Sequence, residues 1–119
     1  MIHLKNERDI AGLRRSAELV GEVLTTVAQM VEPGVETHKL DEAAEALIRS
    51  KGARPAFKGY GGGGGLQPFP ASLCISRNDI VVHGIPNGTI LAEGDIVSVD
   101  CGVELDGYFG DYAYTFAVG

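Results

Sequence analysis

Asp106-Gly107 separates two long β-prone runs, "DIVSVDCGVEL" (Asp95 to Leu105) and "YFGDYAYTFAV" (Tyr108 to Val118), and no other feature restricts the fold so much. Asp-Gly is a favoured two-residue hairpin turn, because both central positions of a type I′ turn need positive φ. A two-residue turn also sets the register. Leu105 then faces Tyr108, and the residue numbers of every opposed pair add to 213. One sheet face receives Val97, Val99, Cys101, Val103, Tyr112, Tyr114 and Phe116, which reads as the core face. The other receives Asp100 opposite Ala113 and Asp111 opposite Gly102.

Two carboxylates on one face of a hairpin call for a reason. Asp100 and Asp111 are diagonal neighbours, roughly 7–8 Å apart at the backbone. Side chains can close most of that gap toward a shared ion. Unneutralised carboxylates this close repel and raise each other's pKa. Oxygen donors on a rigid hairpin suit a divalent metal, and a pair of them suits a two-metal site. Gly102 and Ala113 are small and leave room above the sheet. The plainer alternative is a solvent face with solubilising aspartates, and spacing alone leaves both open.

Upstream the pattern is helical. Ile10, Leu13, Ala17, Val20, Leu24, Val27 and Val31 step by three or four, which predicts an amphipathic helix from Asn6 as N-cap to the stop "EPG" at Glu32 to Gly34. A second helix follows Thr37 as N-cap, with Leu40, Ala44, Leu47 and Ile48 inward. Arg49 and Lys51 sit in its last turn and Gly52 just past it. "GGGGG" (Gly61 to Gly65) reads as a mobile loop without regular structure. It is not a phosphate loop, since no Gly-Lys-Ser/Thr follows. "SLCIS" (Ser72 to Ser76) and "DIVVHGI" (Asp79 to Ile85) read as short strands, and "PNG" (Pro86 to Gly88) as a turn. Two helices followed by an antiparallel sheet predict an α+β fold in a single domain, residues 1–119.

Ten basic against sixteen acidic residues give a net charge of −6, which argues against nucleic-acid partners. "MIHLKNERD" lacks the apolar stretch of a signal peptide, and no run approaches a membrane span. A cytoplasmic protein with reduced thiols at Cys74 and Cys101 is the expectation. His83, near the end of a predicted strand, is the one histidine with chemical context; a structural or exposed role is the plainer reading.

Taken together, "IRSKGARPAF", "FPASLCIS", "VVHGIP" and "EGDIVSVDCGVELDGYFGDYAYTF" resemble the type I methionine aminopeptidases, and the likeness runs over essentially the whole chain. The resemblance implies the pita-bread fold, a pair of divalent metal ions (Co, Mn, Fe or Zn), and removal of the N-terminal methionine from peptides or nascent chains. It matches Asp100 to an aspartate that chelates one metal, and Asp111 to one that bridges both. It matches His83 to a histidine that contacts the substrate. Phe57, Tyr60, Phe69 and Cys74 fall where that family lines its methionine pocket; ordinary core packing is their plainer reading. An aromatic and sulfur lining suits a thioether.

That family completes its metal shell with one histidine and two glutamates from a following segment, and the chain reads as the N-terminal half alone. Glu93 and Glu104 sit in no matching motif. The glycine run is a further departure, expected to displace Tyr60 from Phe69. An uncharged final strand, "YAYTFAV", invites pairing with a second copy, so a two-fold homodimer is expected. Three functions remain open: an aminopeptidase half completed by self-association or a second half, a non-catalytic metal-binding or self-associating module, and a prolidase-like or creatinase-like relative. "HGIP" and the short leading region favour the methionine enzyme over the last.

Overall fold

The computed structural model describes all of residues 1–119. Helix α1 (Glu7–Met30) starts at a capping box, in which the Asn6 side chain accepts from the Asp9 N–H and the Asp9 carboxylate accepts from the Asn6 N–H. Its buried side, however, is rotated from the predicted stripe. Gly12, Ser16, Leu19, Val20, Val23, Leu24 and Val27 are buried, whereas Ile10 and Ala17 are exposed and Leu13 is half-buried. The first turns lie so close to the hairpin tip that small residues, not apolar ones, decide the face. A Cβ on Gly12 would stand 2.3 Å from the Tyr108 ring, and Ser16 Oγ donates to the Tyr108 carbonyl at 2.8 Å.

Helix α2 (Thr37–Ser50) begins at Thr37 itself, so its cap lies one residue earlier than predicted. Glu36 is the N-cap and makes no side-chain capping bond. The free N–H groups of Thr37 and His38 donate instead to the carbonyls of Thr89 and Asn87, at 3.0 and 2.9 Å. A remote loop thus does the capping, which no local motif could announce. At the other end Gly52, with φ 75°, takes the left-handed position foreseen for it.

Four strands follow: β1 (Arg54–Pro55), β2 (Leu73–Arg77), β3 (Ile96–Leu105) and β4 (Tyr108–Ala117). All pairings are antiparallel. β3 is central, with β1 and β2 in succession along one side and β4 along the other. The β3–β4 register is the one deduced from the turn, with Asp100 opposite Ala113 and Gly102 opposite Asp111. Asp106 and Gly107 carry φ of 52° and 84°, as a type I′ turn requires.

Both helices cover one sheet face. Val97, Val99, Cys101 and Val103 alternate into a core completed by Leu73 and Ile75, by Val20, Val23 and Val27 of α1, and by Leu40, Ala44 and Ile48 of α2. Fully burying each aliphatic side chain contributes about 1.5–3 kcal/mol. Tyr112 and Tyr114 were expected here too, but stay 58% and 55% exposed. β4 is an edge strand, and α1 seats closely on its start, at Tyr108 and at Gly110, where a Cβ would meet the Ser16 backbone at 2.7 Å.

Two further expectations change. Residues 79–85 form no strand. They touch β2 mainly through Gly84, whose carbonyl accepts from Ile75 N–H at 2.9 Å and whose N–H donates to Ser76 Oγ at 3.0 Å. His83 just before it has φ 60°, which breaks a strand's alternation, and Val81 and Val82 are left exposed. The glycine run, in turn, is not shapeless. Gly63 and Leu66 exchange both backbone bonds across Gly64 and Gly65, whose φ of 59° and 84° make a second type I′ turn.

Candidate functional site

The carboxylates lie on the sheet face that the helices leave open. Cys74 and Ser76 of β2 share it, opposite Asp100 and Ser98. Segment 79–85 roofs β2 on this side, which buries Cys74 and Ser76 although neither faces the core. Gly84 makes that roof possible, since a Cβ there would fall 2.0 Å from the Ile75 carbonyl oxygen.

Phe57, Tyr60, Phe69, Cys74, His83, Asp100 and Asp111 together line one cleft of about 400 Å³. These seven residues come from strands β2, β3 and β4 and from the loops between β1 and β3. Two walls have specific causes. Phe57 lies over Gly102, whose missing side chain admits the ring: a Cβ would stand 2.6 Å from Cε1. The room that Gly102 leaves above the sheet therefore holds an aromatic edge. Tyr60 and Phe69 are joined at the neck of the glycine turn, where Phe69 N–H donates to the Tyr60 carbonyl at 2.9 Å and Gly59 N–H to the Phe69 carbonyl at 2.8 Å. The glycine run closes on itself and does not part them, contrary to expectation. Tyr60 is 77% exposed, so its side chain stands at the rim.

Electrostatically the cleft is unbalanced. Burial, and next the Asp111 carboxylate beside it, push Asp100 up to about 6, with His83 pulling the other way. Asp100 Oδ1 is buried and meets no hydrogen-bond donor. An acceptor left so is costly unless a cation or donor arrives. Burial, with the Asp100, Asp111 and Asp41 charges, pushes the Cys74 thiol up to about 11, so it presents a neutral, polarisable surface.

Oxygen donors, mutual repulsion and an orphaned oxygen fit a divalent cation, with Asp100 and Asp111 as its holders. The fit is partial. Nowhere in the chain do three His, Cys, Asp or Glu side chains converge as ligands. Glu104 is engaged with Arg54 at 2.9 Å. His3 lies in the exposed N-terminal segment, and His38 is held between Glu36 and Glu42.

Sequence reasoning passed over Asp41 and Glu45 of α2. Asp41 Oδ1 accepts from the N–H groups of Ser72 and Leu73, and Glu45 Oε1 accepts from Ser72 Oγ and Lys58 Nζ. Both look like ordinary charges on a helix flank. Only the tertiary pairing distinguishes them.

Comparison with known proteins identifies the family and the fold. Residues 11–119 match the model of metallopeptidase family M24. The chain belongs to that family. It is 49% identical to a methionine aminopeptidase of Clostridium acetobutylicum, over 100% of this chain and 46% of that protein. The crystal structure of methionine aminopeptidase from Rickettsia prowazekii superposes with a TM-score of 0.93 at 39% identity, again over 100% of this chain and 46% of that one. A Xaa-Pro dipeptidase from Bacillus anthracis, at 20% identity and a TM-score of 0.76, shares the fold. This M24 chain thus has the pita-bread architecture and spans less than half the length of these relatives. Membership of a metallopeptidase family implies use of a divalent metal.

Proposed function

We propose that the chain carries the metal-holding and side-chain-recognising part of a methionine aminopeptidase site, acting on the N-terminal methionine of peptides and nascent chains in the cytoplasm. One observation supports this most: the aspartate pair, with its orphaned oxygen, opens into the same cleft as Phe57, Phe69 and Cys74. An unbranched thioether would lie against the aromatic rings and the neutral thiol. Asp100 and Asp111 would hold the ions, which would relieve their repulsion. Divalent metals bound there supply a Lewis acid and an activated water. Co, Mn, Fe and Zn all suit such donors, so the carboxylates do not select among them. To His83 we assign contact with the reacting peptide group.

Release of methionine from Met-Ala-Ser in the presence of Co²⁺ or Mn²⁺ tests the reading. Turnover that disappears in Asp100→Ala and in Asp111→Ala supports it and excludes a contaminating host enzyme. Cleavage of a Xaa-Pro peptide in preference to Met-Ala would move the activity to the prolidase-like branch.

The lack of a third ligand favours a second reading, a non-catalytic module that binds metal through self-association. The outer edge of β4 is unpaired over ten residues, and Tyr112 and Tyr114 are exposed beside it. A second copy docking there about a two-fold axis would add two more aspartates to the site. The same contact, or a second half, would serve the aminopeptidase. Sedimentation with metal and with chelator decides: a metal-dependent dimer supports it, and a compact monomer under both conditions overturns it.

A further inference from the structure

Two walls of the cleft hang from one helix. Asp41 and Glu45 are one turn apart on α2, and like charges at that spacing repel. Each is nevertheless committed to a different stretch of chain. Asp41 Oδ1 takes the Ser72 and Leu73 N–H groups at 2.9 and 2.7 Å, at the entry to β2 and next to Cys74. Glu45 Oε1 takes Lys58 Nζ at 2.7 Å, adjacent to Phe57, and Ser72 Oγ at 2.8 Å; its Oε2 takes Arg49 Nε at 3.0 Å. α2 is a firm base, with Leu40, Ala44 and Ile48 fully buried in the core. The Phe57 stretch lies outside regular structure, just past the two-residue β1, where its other fixings are the Ala56 N–H on the Gly102 carbonyl at 2.9 Å and the Gly59 N–H on the Phe69 carbonyl at 2.8 Å.

We propose that Asp41 and Glu45 are positioning residues for the side-chain pocket, clamping the Phe57 and Cys74 walls to α2 and so setting the width that admits an unbranched thioether. The assignment rests on the pocket reading above. Neither carboxylate lines the cleft, so neither touches substrate. Part-buried hydrogen bonds that backbone N–H groups donate to a carboxylate are among the stronger ones, which suits a clamp.

The two thiols of the chain report on it. Cys74 lines the cleft, whereas Cys101 lies in the core on the other face, fully buried. The metal-free chain is treated with methyl methanethiosulfonate under native conditions, and each cysteine's labelling is followed by mass spectrometry. In Asp41→Ala/Glu45→Ala, Cys74 labelling is expected to rise by about tenfold or more while Cys101 stays protected, as local opening of one wall predicts. Asp41→Asn keeps an acceptor oxygen, and its rate should remain within about threefold of the parent. L-Methioninol should shield Cys74 in the parent and in Asp41→Asn, but not in the double variant. An unchanged Cys74 rate overturns the clamp, as does a parallel rise at Cys101, which would mean general loosening. If the double variant does not fold, Glu45→Gln decides by the same readout, since it releases the Lys58 ion pair yet can still accept from Ser72. Failure of L-methioninol to shield the parent would instead sink the pocket reading, leaving the labelling ratio to judge whether the walls are clamped.

Discussion

The two faces of β3 differ at every step of the chain. Val97, Val99, Cys101 and Val103 are fully buried under the helices, each packed on several partners. Ser98, Asp100 and Gly102, interleaved with them, face the cleft side, where one carboxylate oxygen has no partner and one glycine exists to admit a ring. Alternation thus separates two demands within ten residues. Odd positions hold the fold together, and even ones line a site whose Asp100 carboxylate the metal-free protein would be more stable without. Substitutions at Val99 and at its neighbour Asp100 should therefore differ in sign.

The largest effect belongs to the core face. Val99→Asp would place an unpaired carboxylate where no water or cation reaches, at a cost of about 4 kcal/mol or more. Urea unfolding should show no cooperative native baseline. A variant that unfolds cooperatively near the parent midpoint would mean that the faces are not distinct. Gly102→Ala comes next. Its Cβ collides with Phe57, so the expected cost is about 1–3 kcal/mol, together with loss of L-methioninol shielding at Cys74. Unaltered shielding would show that Phe57 does not shape the pocket.

Asp100→Ala should reverse the sign. It removes the orphaned oxygen and the repulsion from Asp111, and the metal-free chain should gain about 1 kcal/mol in urea unfolding. The same variant should lose the rise in Tm that Mn²⁺ gives the parent, because only a site that binds the ion in the folded state is stabilised by it. A destabilised variant that still responds to Mn²⁺ would remove Asp100 from the site and end the contrast.

Why one face was readable in advance and the other only in part follows from the range of the interactions. The Asp106-Gly107 turn carries its register locally, so β3, β4 and the shared face of Asp100 and Asp111 could be deduced from spacing. The caps at Asn6 and Gly52 are local as well. Apart from the local turn at Gly64-Gly65, what was misread depends on partners distant in sequence. Gly12 and Ser16 displaced Leu13 from the buried side of α1 because Tyr108 lies against them. Residues 79–85 have the composition of a strand, but they cross β2 at Gly84 instead of pairing along it. Tyr112 and Tyr114 alternate correctly and still lack cover. For the site, parity brought the aspartates together; the aromatic wall rested on family resemblance, and the α2 carboxylates gave no local signal.

Asp95 offers the smallest and cleanest extension of the contrast, because it is a buried carboxylate at the same strand's entrance with every need met. Arg77 Nε donates to it at 2.6 Å, Asn78 Nδ2 at 3.0 Å and the Ala92 N–H at 2.8 Å. Those partners, Arg77 first, hold its carboxyl well below the usual carboxylate range. A depressed folded-state pKa adds stability that is fully present above the unfolded value, about 3.9, and is lost as pH falls through the folded one. Asp95→Asn should therefore lower Tm at pH 7 by a few degrees and flatten the fall in Tm below pH 4. Where Asp100→Ala raises stability by removing an unmet group, Asp95→Asn lowers it by removing a satisfied one. Thermal unfolding of parent and variant from pH 7 to pH 2 tests this. Coincident curves would show that the Arg77 network contributes nothing to the fold, and partnering would then not explain why the two aspartates differ.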